Sequence, residues 1–490
     1  MSLREDAVFE HKEASGLLNH GPAPLIIDGA RAQIRQANEA AQSWVIVLDD
    51  DPTGSQSVQD VPVLTSWAAD DLAWAFGQPG RGFFILTNTR GLNEFEARAV
   101  LEDVAAGVAA VAAESNYSYS LITRSDSTMR GHYPLETDVL IGLAEKVGRP
   151  YSALLLAPAY IAAGRVTVDD VHYVRDGDTF FPVGHTSYSR DATFHFESSD
   201  VRDYVEEKTG GQIAATTVRS LSLDDIRVGG PQRVCNVILS CIGSTPIVVN
   251  ATTDSDLDVV ALGLALAESA GARVLCRTGP SFVAARLGIG GRGPLSHDEI
   301  FAAGQRSGHG LIIVGSHVEL TTRQVARLRA DLTNVETIEV NVPRLLDAEL
   351  AAHEIQRCTK ALVSALGRTD ALLVSSREQI TGDSGHSSLV IAQTVSSALV
   401  DLTKAAVKAV PLKWVLAKGG ITSSDIATAG LHIRRATVIG QLFPGIVSAW
   451  VNEGAGELGL EGLPYVVFAG NVGDDETLAE AVSILRGGSR

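Results

Sequence analysis

The stretch that decides the fold is Trp44-Val-Ile-Val-Leu-Asp-Asp-Asp-Pro-Thr-Gly54. Its apolar half has the length of a strand buried on both faces of a parallel sheet, and it changes abruptly into consecutive aspartates. Ligands bind at the carboxyl ends of strands in open α/β sheets, so the pattern predicts a strand that ends at a binding site. The proline and glycine that follow allow a tight turn directing Asp50, Asp51 and Thr53 to one point. The alternative is an acidic turn that only caps the next segment.

Length, composition and charge restrict the class of protein. The chain has 490 residues, of which 45% are hydrophobic and 47 are glycine, which is typical of an α/β protein with two or more domains. A formal net charge of −18 opposes the basic face that nucleic-acid binding requires, so we expect no nucleic-acid partner. No apolar run approaches the roughly 18 residues of a membrane span, and the N-terminus lacks an apolar signal segment. We therefore expect a cytoplasmic protein with no membrane partner.

The first half alternates strand-length apolar runs with helical stretches. Residues 1–43 form an acidic lead-in in which residues 26–41 are predicted to be a surface helix. Further strands are predicted at 61–65, 82–87, 120–123, 153–157, 246–250 and 272–276, with helices at 71–76, 94–115 and 257–270. Strands that alternate with helices predict a doubly wound, mostly parallel sheet. We place this first domain at residues 44–287.

Polar side chains follow several of these strands. Because parallel strands end at one edge of a sheet, these side chains are predicted to converge on Asp50 and Asp51; they are Arg90, Arg124, Asp126, Arg130 and Arg165. Guanidinium groups bind a carboxylate through paired hydrogen bonds, and aspartates accept hydrogen bonds from hydroxyl groups. The set therefore fits a small acid with several hydroxyl groups. The alternative is a structural network in which the arginines only neutralise the aspartates.

Two other features of the first half have simpler interpretations. The histidines at positions 172, 185 and 195 lack metal-ligand spacing, and we interpret them as polar residues of loops around a hairpin or flap. Four cysteines without a CxxC pair predict no zinc site. Gly288-Ile-Gly-Gly-Arg-Gly293 matches GxGxxG, but it follows a predicted helix rather than a strand. We interpret residues 288–309 as an interdomain linker.

The second half, residues 310–490, repeats the α/β pattern. Strands are predicted at 310–314, 335–342 and 371–375 and from 414, 437 and 464 onwards, with a helix ending near 332 and another at 389–409. Four strands lead into glycine-bearing loops, which are Gly315-Ser316, Gly419-Gly-Ile-Thr422, Pro444-Gly445 and Gly470-Asn-Val-Gly473. Glycines let backbone N–H groups approach a phosphate closely. Lys418 could add a point charge, and Thr422 or Ser423 a hydroxyl. The alternative is that these glycines serve only as tight turns.

These loops, together with Asp50-Asp-Pro-Thr-Gly54, Arg124-Ser-Asp-Ser-Thr-Met-Arg-Gly131 and residues 158–165, resemble the four-carbon acid sugar kinase family. The resemblance runs in order from about residue 44 to the end of the chain. It implies an N-terminal sugar-acid-binding domain and a C-terminal nucleotide-binding domain, with an active site in the cleft between them. Members phosphorylate acids such as threonate, erythronate or 3-oxo-tetronates with ATP and Mg²⁺. This chain departs from shorter members at Ile421 and at Gly470-Asn-Val-Gly473, and it resembles a longer subgroup.

The resemblance also implies residue roles. Asp50, Asp51 and Asp126 would be the catalytic carboxylates, one of them acting as base. The substrate acid would be bound by Thr53, Asn88, Arg90, Arg124, Ser127, Arg130, Gly164 and Arg165. The nucleotide would be bound by Ser316, Lys418, Gly419, Gly420, Ile421, Thr422, Gly445, Gly470, Asn471 and Gly473. No metal ligand is assigned, and a homodimer is a further expectation.

Two other functions stay open at this stage. One is a nicotinamide-dependent hydroxy-acid dehydrogenase, against which the position of the GxGxxG sequence argues. The other is a sugar-acid sensor without catalysis, which would lack a catalytic carboxylate, whereas this chain keeps several.

Overall fold

The computed structural model describes residues 12–302, 304, 306–377, 385–454, 456 and 458–488. Its strands are β1 (Lys12–Glu13), β2 (Ser43–Asp49), β3 (Val61–Leu64), β4 (Gly82–Leu86), β5 (Ser118–Arg124), β6 (Ala153–Ala157), β7 (Arg165–Val168), β8 (Val171–Asp176), β9 (Thr179–Pro182), β10 (Arg219–Leu221), β11 (Thr245–Val249), β12 (Val274–Thr278), β13 (His309–Val314), β14 (Val335–Val340), β15 (Asp370–Ser375), β16 (Leu412–Lys418), β17 (Arg435–Phe443), β18 (Val447–Asn452) and β19 (Pro464–Phe468).

The helices are α1 (Ala14–Leu18), α2 (Ala30–Ala40), α3 (Ala69–Phe76), α4 (Glu94–Glu114), α5 (Leu135–Lys146), α6 (Val201–Lys208), α7 (Leu223–Arg227), α8 (Gly230–Leu239), α9 (Asp254–Ser269), α10 (Pro280–Leu287), α11 (His297–Ile300), α12 (Glu319–Asp331), α13 (Val342–Leu346), α14 (Ala351–Leu366), α15 (Gly385–Ala409), α16 (Gly420–Asp425) and α17 (Thr477–Leu485).

The chain forms two compact units. Unit 1 contains residues 1–50 and 67–290, and unit 2 contains residues 51–66 and 291–490. The sequence analysis placed each domain in one continuous segment, whereas unit 2 also takes the residues from Asp51 to Ser66. These residues join unit 2 because β3 pairs antiparallel with β17, with Val63 opposite Ala436. The alternation of strands and helices in the sequence could not predict this long-range strand pairing.

Unit 1 is built on a parallel sheet with the strand order β10-β11-β6-β12-β5-β2-β4. The strand β2 is its centre of burial, with Val45, Ile46 and Val47 fully inaccessible to solvent. Helices flank the sheet, with α9 packing against α2, α8 and α10, and α4 packing against α5. A capping box between Asn93 and Glu96 begins α4, where the sequence predicted a helix. The predicted mostly parallel α/β sheet is confirmed.

A small antiparallel sheet, in the order β1-β9-β8-β7, is added to unit 1. It corresponds to the hairpin or flap expected in this region. The interpretation of His172 as a loop residue is wrong, because it lies within β8 and is fully buried. Both ring nitrogens are hydrogen-bonded, Nδ1 with Thr167 Oγ1 at 2.9 Å and Nε2 with the carbonyl oxygen of Ser127 at 2.8 Å. Burial of a histidine in an apolar strand is possible here because both ring nitrogens have partners.

Unit 2 has a mixed sheet with the strand order β3-β17-β18-β19-β16-β13-β15-β14. The five strands from β19 to β14 run parallel to their neighbours, and β3, β17 and β18 add antiparallel strands at one side. The apolar core includes Trp414, Leu416, Val466 and Phe468. The predicted second α/β domain is therefore present, with an antiparallel extension.

One helix of unit 2 is notable for its hydropathy. Within α15, residues Val390–Ala409 are long and apolar enough to cross a membrane, with a mean hydropathy of 1.2. Several of their side chains are buried in the protein, among them Leu399, Leu402 and Ala406, and α15 packs against α14. A core helix of a globular protein passes the same test, so the segment is weak evidence for a membrane span.

Candidate functional site

The register of the unit 1 sheet aligns the carboxyl ends of its central strands. Leu86, Asp49, Arg124, Thr278 and Ala157 are successive neighbours across β4, β2, β5, β12 and β6. The residues that follow these five positions therefore begin their loops at the same edge of the sheet. This edge is the usual position of a ligand in an open α/β sheet.

Asp50 occupies this edge and is almost completely buried, with 3% of its surface exposed. The Nε atom of Arg90 donates a hydrogen bond to Asp50 Oδ2 at 3.1 Å. The Nη1 atom of Arg124 lies 3.9 Å from Asp50 Oδ1, and Arg124 also pairs with Asp49. The predicted convergence of Arg90 and Arg124 on Asp50 is thus observed. Two guanidinium groups therefore pair with this buried carboxylate, as burial of a carboxylate requires.

Asp126 belongs to the loop between β5 and α5. The Nε atom of Arg130 donates to Asp126 Oδ2 at 2.7 Å, and Thr128 donates to the same oxygen. Burial by itself would raise the pKa of Asp126, but Arg90, Arg130 and the two hydrogen bonds hold the pKa well below its ordinary value. The carboxylate therefore stays ionised and is a hydrogen-bond acceptor rather than a strong base.

A buried ion pair that the sequence analysis missed lies in the same region. Glu136 and Arg277 are 2% and 6% exposed, and Arg277 Nε lies 3.7 Å from Glu136 Oε2. A Cβ atom added to Gly131 would lie 3.3 Å from Arg277 Nη2 and 3.4 Å from Asp50 Oδ2. The pair is therefore next to Asp50. Arginine at the penultimate position of the apolar strand β12 was a signal that could have revealed it, whereas Glu136 lies in an ordinary helical pattern.

The other predicted substrate-binding residues have varied surroundings. Asn88 has a left-handed backbone with a φ of 53°, and Ser127 accepts the hydrogen bond from His172 described above. Gly164 has a φ of 67°, and a Cβ atom there would collide with Arg175. The guanidinium of Arg165 lies 5.9 Å from the Tyr160 ring, and within the described residues it forms no ion pair. The side chain of Thr53 lies outside the described part of the structure.

The register of unit 2 aligns a second edge. Val447, Phe468, Lys418, Val314 and Val374 are successive neighbours across β18, β19, β16, β13 and β15. The four predicted glycine-bearing loops all begin or end at this row. Three adjacent parallel strands thus place their glycine turns side by side, and the turn between β17 and β18 reaches the same edge from the antiparallel hairpin.

The three turns after β13, β16 and β19 contact each other closely. A Cβ atom at Gly470 would lie 2.6 Å from Ser316 Oγ. Gly419 has a φ of 121°, and a Cβ atom there would lie 3.0 Å from Thr422 Oγ1. At Gly315 an added Cβ atom would collide with the same Thr422 hydroxyl. Glycine is required at these positions because the turns leave no room for a side chain.

Two charged side chains border these turns. Asp51 belongs to unit 2, and its Oδ2 atom lies 3.7 Å from the position of a Cβ atom at Gly420. Arg377 holds the Ser316 turn, donating to the carbonyl oxygen of Ser316 at 2.7 Å and to Thr322 Oγ1 at 2.6 Å. The sequence analysis did not identify Arg377, although it follows β15 by two residues and a cation after a buried strand was a usable signal.

Lys418 is fully buried at the end of β16. Its Nζ atom donates to the carbonyl oxygen of Ala469 at 3.0 Å and lies 3.7 Å from the centroid of the Phe468 ring. Burial lowers the pKa of Lys418 to about 7. Lys418 therefore joins the turn after β16 to the turn after β19, and its contact with a phosphate stays a prediction.

The remaining predicted nucleotide-binding residues have less specific contacts. Ile421 is 72% exposed, and Asn471 is exposed as well. Gly445 has a φ of 75°, and its N–H donates to Gln441 Oε1 at 2.8 Å. Gly473 has a φ of 82°, and Thr477 leaves no space there for a Cβ atom. Among the described residues, no group of three or more His, Cys, Asp or Glu side chains is arranged to hold a metal ion.

The fold and the two edges define a two-unit α/β protein with an acid-and-arginine cluster on one sheet and a glycine-rich edge on the other. Residues 45–286 match a family described as a sugar-binding N-terminal domain. Residues 311–478 match a family described as a nucleotide-binding C-terminal domain. The chain belongs to the four-carbon acid sugar kinase family.

Several proteins of known sequence or structure are similar to this chain. A 3-oxo-isoapionate kinase from Paraburkholderia graminis is 29% identical over 175 residues, a match that spans 33% of this chain and 36% of that protein. A Salmonella typhimurium LT2 protein, named provisionally as a tRNA synthase, has a TM-score of 0.63 at 16% identity over 90% of this chain and 98% of its own. Haemophilus influenzae protein HI1011 has a TM-score of 0.59 at 16% identity over 90% and 100% of the two chains. At such identities the two structures establish the fold alone.

Proposed function

We propose that the protein is an ATP-dependent kinase that phosphorylates a hydroxyl group of a small sugar acid. The acid would have four carbons or a related skeleton, as in threonate, erythronate, a 3-oxo-tetronate or 3-oxo-isoapionate. Family membership and the kinase relative support this proposal. The observation that carries it is the register of unit 2, which brings the glycine turns after β13, β16 and β19 to one edge.

On the donor side, the turns at Gly315, Gly419 and Gly470 would bind the phosphates of ATP. Backbone N–H groups in turns without side chains can approach phosphate oxygens closely. A kinase family implies Mg²⁺, which usually takes one or two carboxylates together with the substrate phosphates. Asp51 fits this requirement because its carboxylate lies beside the Gly419–Gly420 turn. When bound, the ion would neutralise charge that develops on the transferred phosphoryl group.

On the acceptor side, the cluster around Asp50 would bind the sugar acid. Arg124, Arg130 and Arg90 would bind the substrate carboxylate, because guanidinium groups form paired hydrogen bonds with it. Asp50 and Asp126 would accept hydrogen bonds from substrate hydroxyl groups. Both carboxylates are paired with arginines that fix their positions, so they are suited to orienting a hydroxyl. Phosphoryl transfer depends mainly on such positioning.

Asp51 has two possible tasks, which separate experimentally. If Asp51 is a Mg²⁺ ligand, Asp51→Asn should raise the Mg²⁺ concentration required for half-maximal turnover. If Asp51 is instead the base that takes the hydroxyl proton, the same variant should change the acidic limb of the pH–rate profile and leave the Mg²⁺ requirement unchanged.

The structure gives less support to the two alternative functions, the dehydrogenase and the sensor, than to the kinase. The GxGxxG segment follows α10, whose C-cap is Gly288, and the side chain of Arg35 donates to the Gly288 carbonyl oxygen. This geometry is a helix end and does not follow a strand, so the segment lacks the context of a dinucleotide loop. A sensor without catalysis would bind the acid and ATP without forming ADP.

The decisive experiment is ADP release by the full chain with Mg·ATP and a panel of four-carbon and branched sugar acids, including 3-oxo forms. We expect turnover with at least one acid and loss of that turnover in Asp51→Asn. Tight binding of an acid without ADP release would support the sensor, and reduction of a nicotinamide cofactor by any acid would support the dehydrogenase. We further propose a cytoplasmic protein, and light scattering would test the predicted homodimer.

A further inference from the structure

We propose that unit 1 carries a second binding site, for a small metabolite bearing a phosphate or carboxylate group, at the amino edge of its parallel sheet. A cavity of about 330 Å³ lies where β2, β5 and β12 begin. A strand rises about 3.3 Å per residue, so the length of β2 places this cavity about 20 Å from Asp49 at the other edge. The site is therefore separate from the Asp50 cluster and does not depend on the proposed kinase function.

Two arginines line this cavity without a counter-ion. Arg149 follows α5 and Arg273 precedes β12, and both belong to the cavity lining. Within the described residues neither guanidinium forms an ion pair with a carboxylate, and Arg273 Nη1 is buried without a hydrogen bond. Burial lowers the pKa of Arg273 and the charge of Arg149 lowers it further, against an opposing effect of Tyr151. An anion bound between these two like charges would offset their mutual repulsion.

Among the described residues, Glu268 is the one carboxylate that lines the cavity, and it is already paired. Glu268 accepts a hydrogen bond from Nη2 of the buried Arg286 at 2.5 Å. Nη1 of Arg286 donates to Asn38 Oδ1 at 2.5 Å, and its Nη2 also donates to Ser120 Oγ at 3.4 Å. These hydrogen bonds occupy both terminal nitrogens of Arg286, and the carboxylate of Glu268 is paired with Arg286 rather than with Arg149 or Arg273. Within the described residues the charges of Arg149 and Arg273 therefore have no counter-ion, so we expect a positive cavity in a protein with a formal net charge of −18.

Two tyrosines complete the chemistry of the cavity. The guanidinium of Arg273 lies 4.8 Å from the Tyr151 ring centroid, and this stacking fixes its orientation. Burial raises the pKa of Tyr119, and it raises that of Tyr151 to about 12, although Arg149 and Arg273 oppose both shifts. Both phenols therefore keep their protons and can donate hydrogen bonds. Guanidinium forks and phenol donors together are the groups that bind phosphate or carboxylate oxygens.

The size of the cavity indicates a small ligand. Its volume lies at the lower end of the range of about 300–1,000 Å³ for ligand pockets. A neighbouring cavity of about 430 Å³ shares Arg149 and Arg273 and gives space for the uncharged part of a metabolite. The simpler alternative is that Arg149 is only solvated and Arg273 only packs on Tyr151, in which case no anion would be held between them.

The test uses selenate as a probe that can be located by anomalous scattering in crystals of the full chain. We expect an anomalous peak between Arg149 and Arg273, and we expect Arg273→Gln to remove it. The matched control is Arg98→Gln, which removes an exposed arginine in the second turn of α4, outside the cavity lining, and should leave the peak unchanged. A missing peak in the natural protein, or an unchanged peak in Arg273→Gln, would overturn the proposal.

Calorimetric titration then separates the two ligand chemistries in solution, with inorganic phosphate and malonate as probes. Loss of a charge-assisted pair should weaken the preferred probe about tenfold to a hundredfold in Arg273→Gln. Arg149→Gln gives a second variant at an exposed position if the first fails to fold. If selenate binds in the crystal but the variants weaken the binding of neither phosphate nor malonate in solution, the peak marks an adventitious ion only. That result would also overturn the proposal.

Discussion

Lys418→Met should make unit 2 more stable and, at the same time, impair nucleotide binding. Methionine has a similar length and no charge, so it fills the site on the Phe468 ring without a buried ammonium group. The ordinary lysine pKa of 10.5 falls to about 7 in the folded protein. At about 1.4 kcal/mol per pH unit, the buried charge costs about 5 kcal/mol below pH 7. Subtracting roughly 1–2 kcal/mol for the lost bond to Ala469 and the ring contact leaves a gain of about 3 kcal/mol.

The sign of the pH dependence follows from the direction of this shift. The folded state loses its proton near pH 7 and the unfolded state near pH 10.5, so between these values the unfolded chain binds more protons. The stability of the natural protein is therefore complete above pH 10.5 and is lost as the pH falls towards 7. The advantage of Lys418→Met should accordingly shrink by about 2 kcal/mol between pH 7 and pH 9.

The assay is urea unfolding with pulse hydrogen exchange at one fixed labelling pH, read in peptides from β16 and β19. This readout follows unit 2 alone, which a whole-chain signal would not do in a protein of two units. Lys408→Met, at an exposed position near the end of α15, is the matched control and should show no such pH dependence. A stability difference between Lys418→Met and the natural protein that is constant from pH 7 to pH 9 would refute the reasoning.

Three further predictions concern the two edges and the buried His172. Gly470→Ala should weaken ATP binding by about 5- to 100-fold, because the new Cβ atom displaces Ser316 at a cost of about 1–3 kcal/mol; Gly293→Ala, which has open space around it, is the control, and equal ATP affinity of the two variants would contradict the prediction. Asp51→Asn should keep its thermal midpoint within a few degrees and lose at least about 100-fold in turnover; full activity would remove Asp51 from the mechanism. Burial lowers the pKa of His172 from 6.5 to about 4, so unit 1 should lose about 3 kcal/mol as the pH falls from 6.5 to 4; His172→Gln should reduce this loss in urea unfolding followed in peptides of β8, and an identical pH dependence in both proteins would argue against it.

The sequence by itself determined the strands and the turns that end them. Five apolar residues before Asp49, with turn residues directly after the aspartates, are typical of a strand buried on both faces, and Ala153–Ala157 before Pro158 is the same case. Gly419 follows such a strand directly and Gly470 follows one after a single residue, so their position at the sheet edge could be predicted from the local pattern. The family resemblance rested on the turns that follow these strands, and it was confirmed.

The tertiary structure alone decided how long-range partners change the role of a residue. Asp51 groups with unit 2 although Asp50 groups with unit 1, because β3 pairs with a strand more than 350 residues away in sequence. Lys418, predicted to present a charge to phosphate, is buried against Ala469 and Phe468, and His172 lies within a strand. Local periodicity reports which face of an element is apolar, but it carries no information on which distant carbonyl, ring or charge will meet a given side chain. These long-range contacts set the burial and the pKa values of the side chains, and they are visible only in the folded chain.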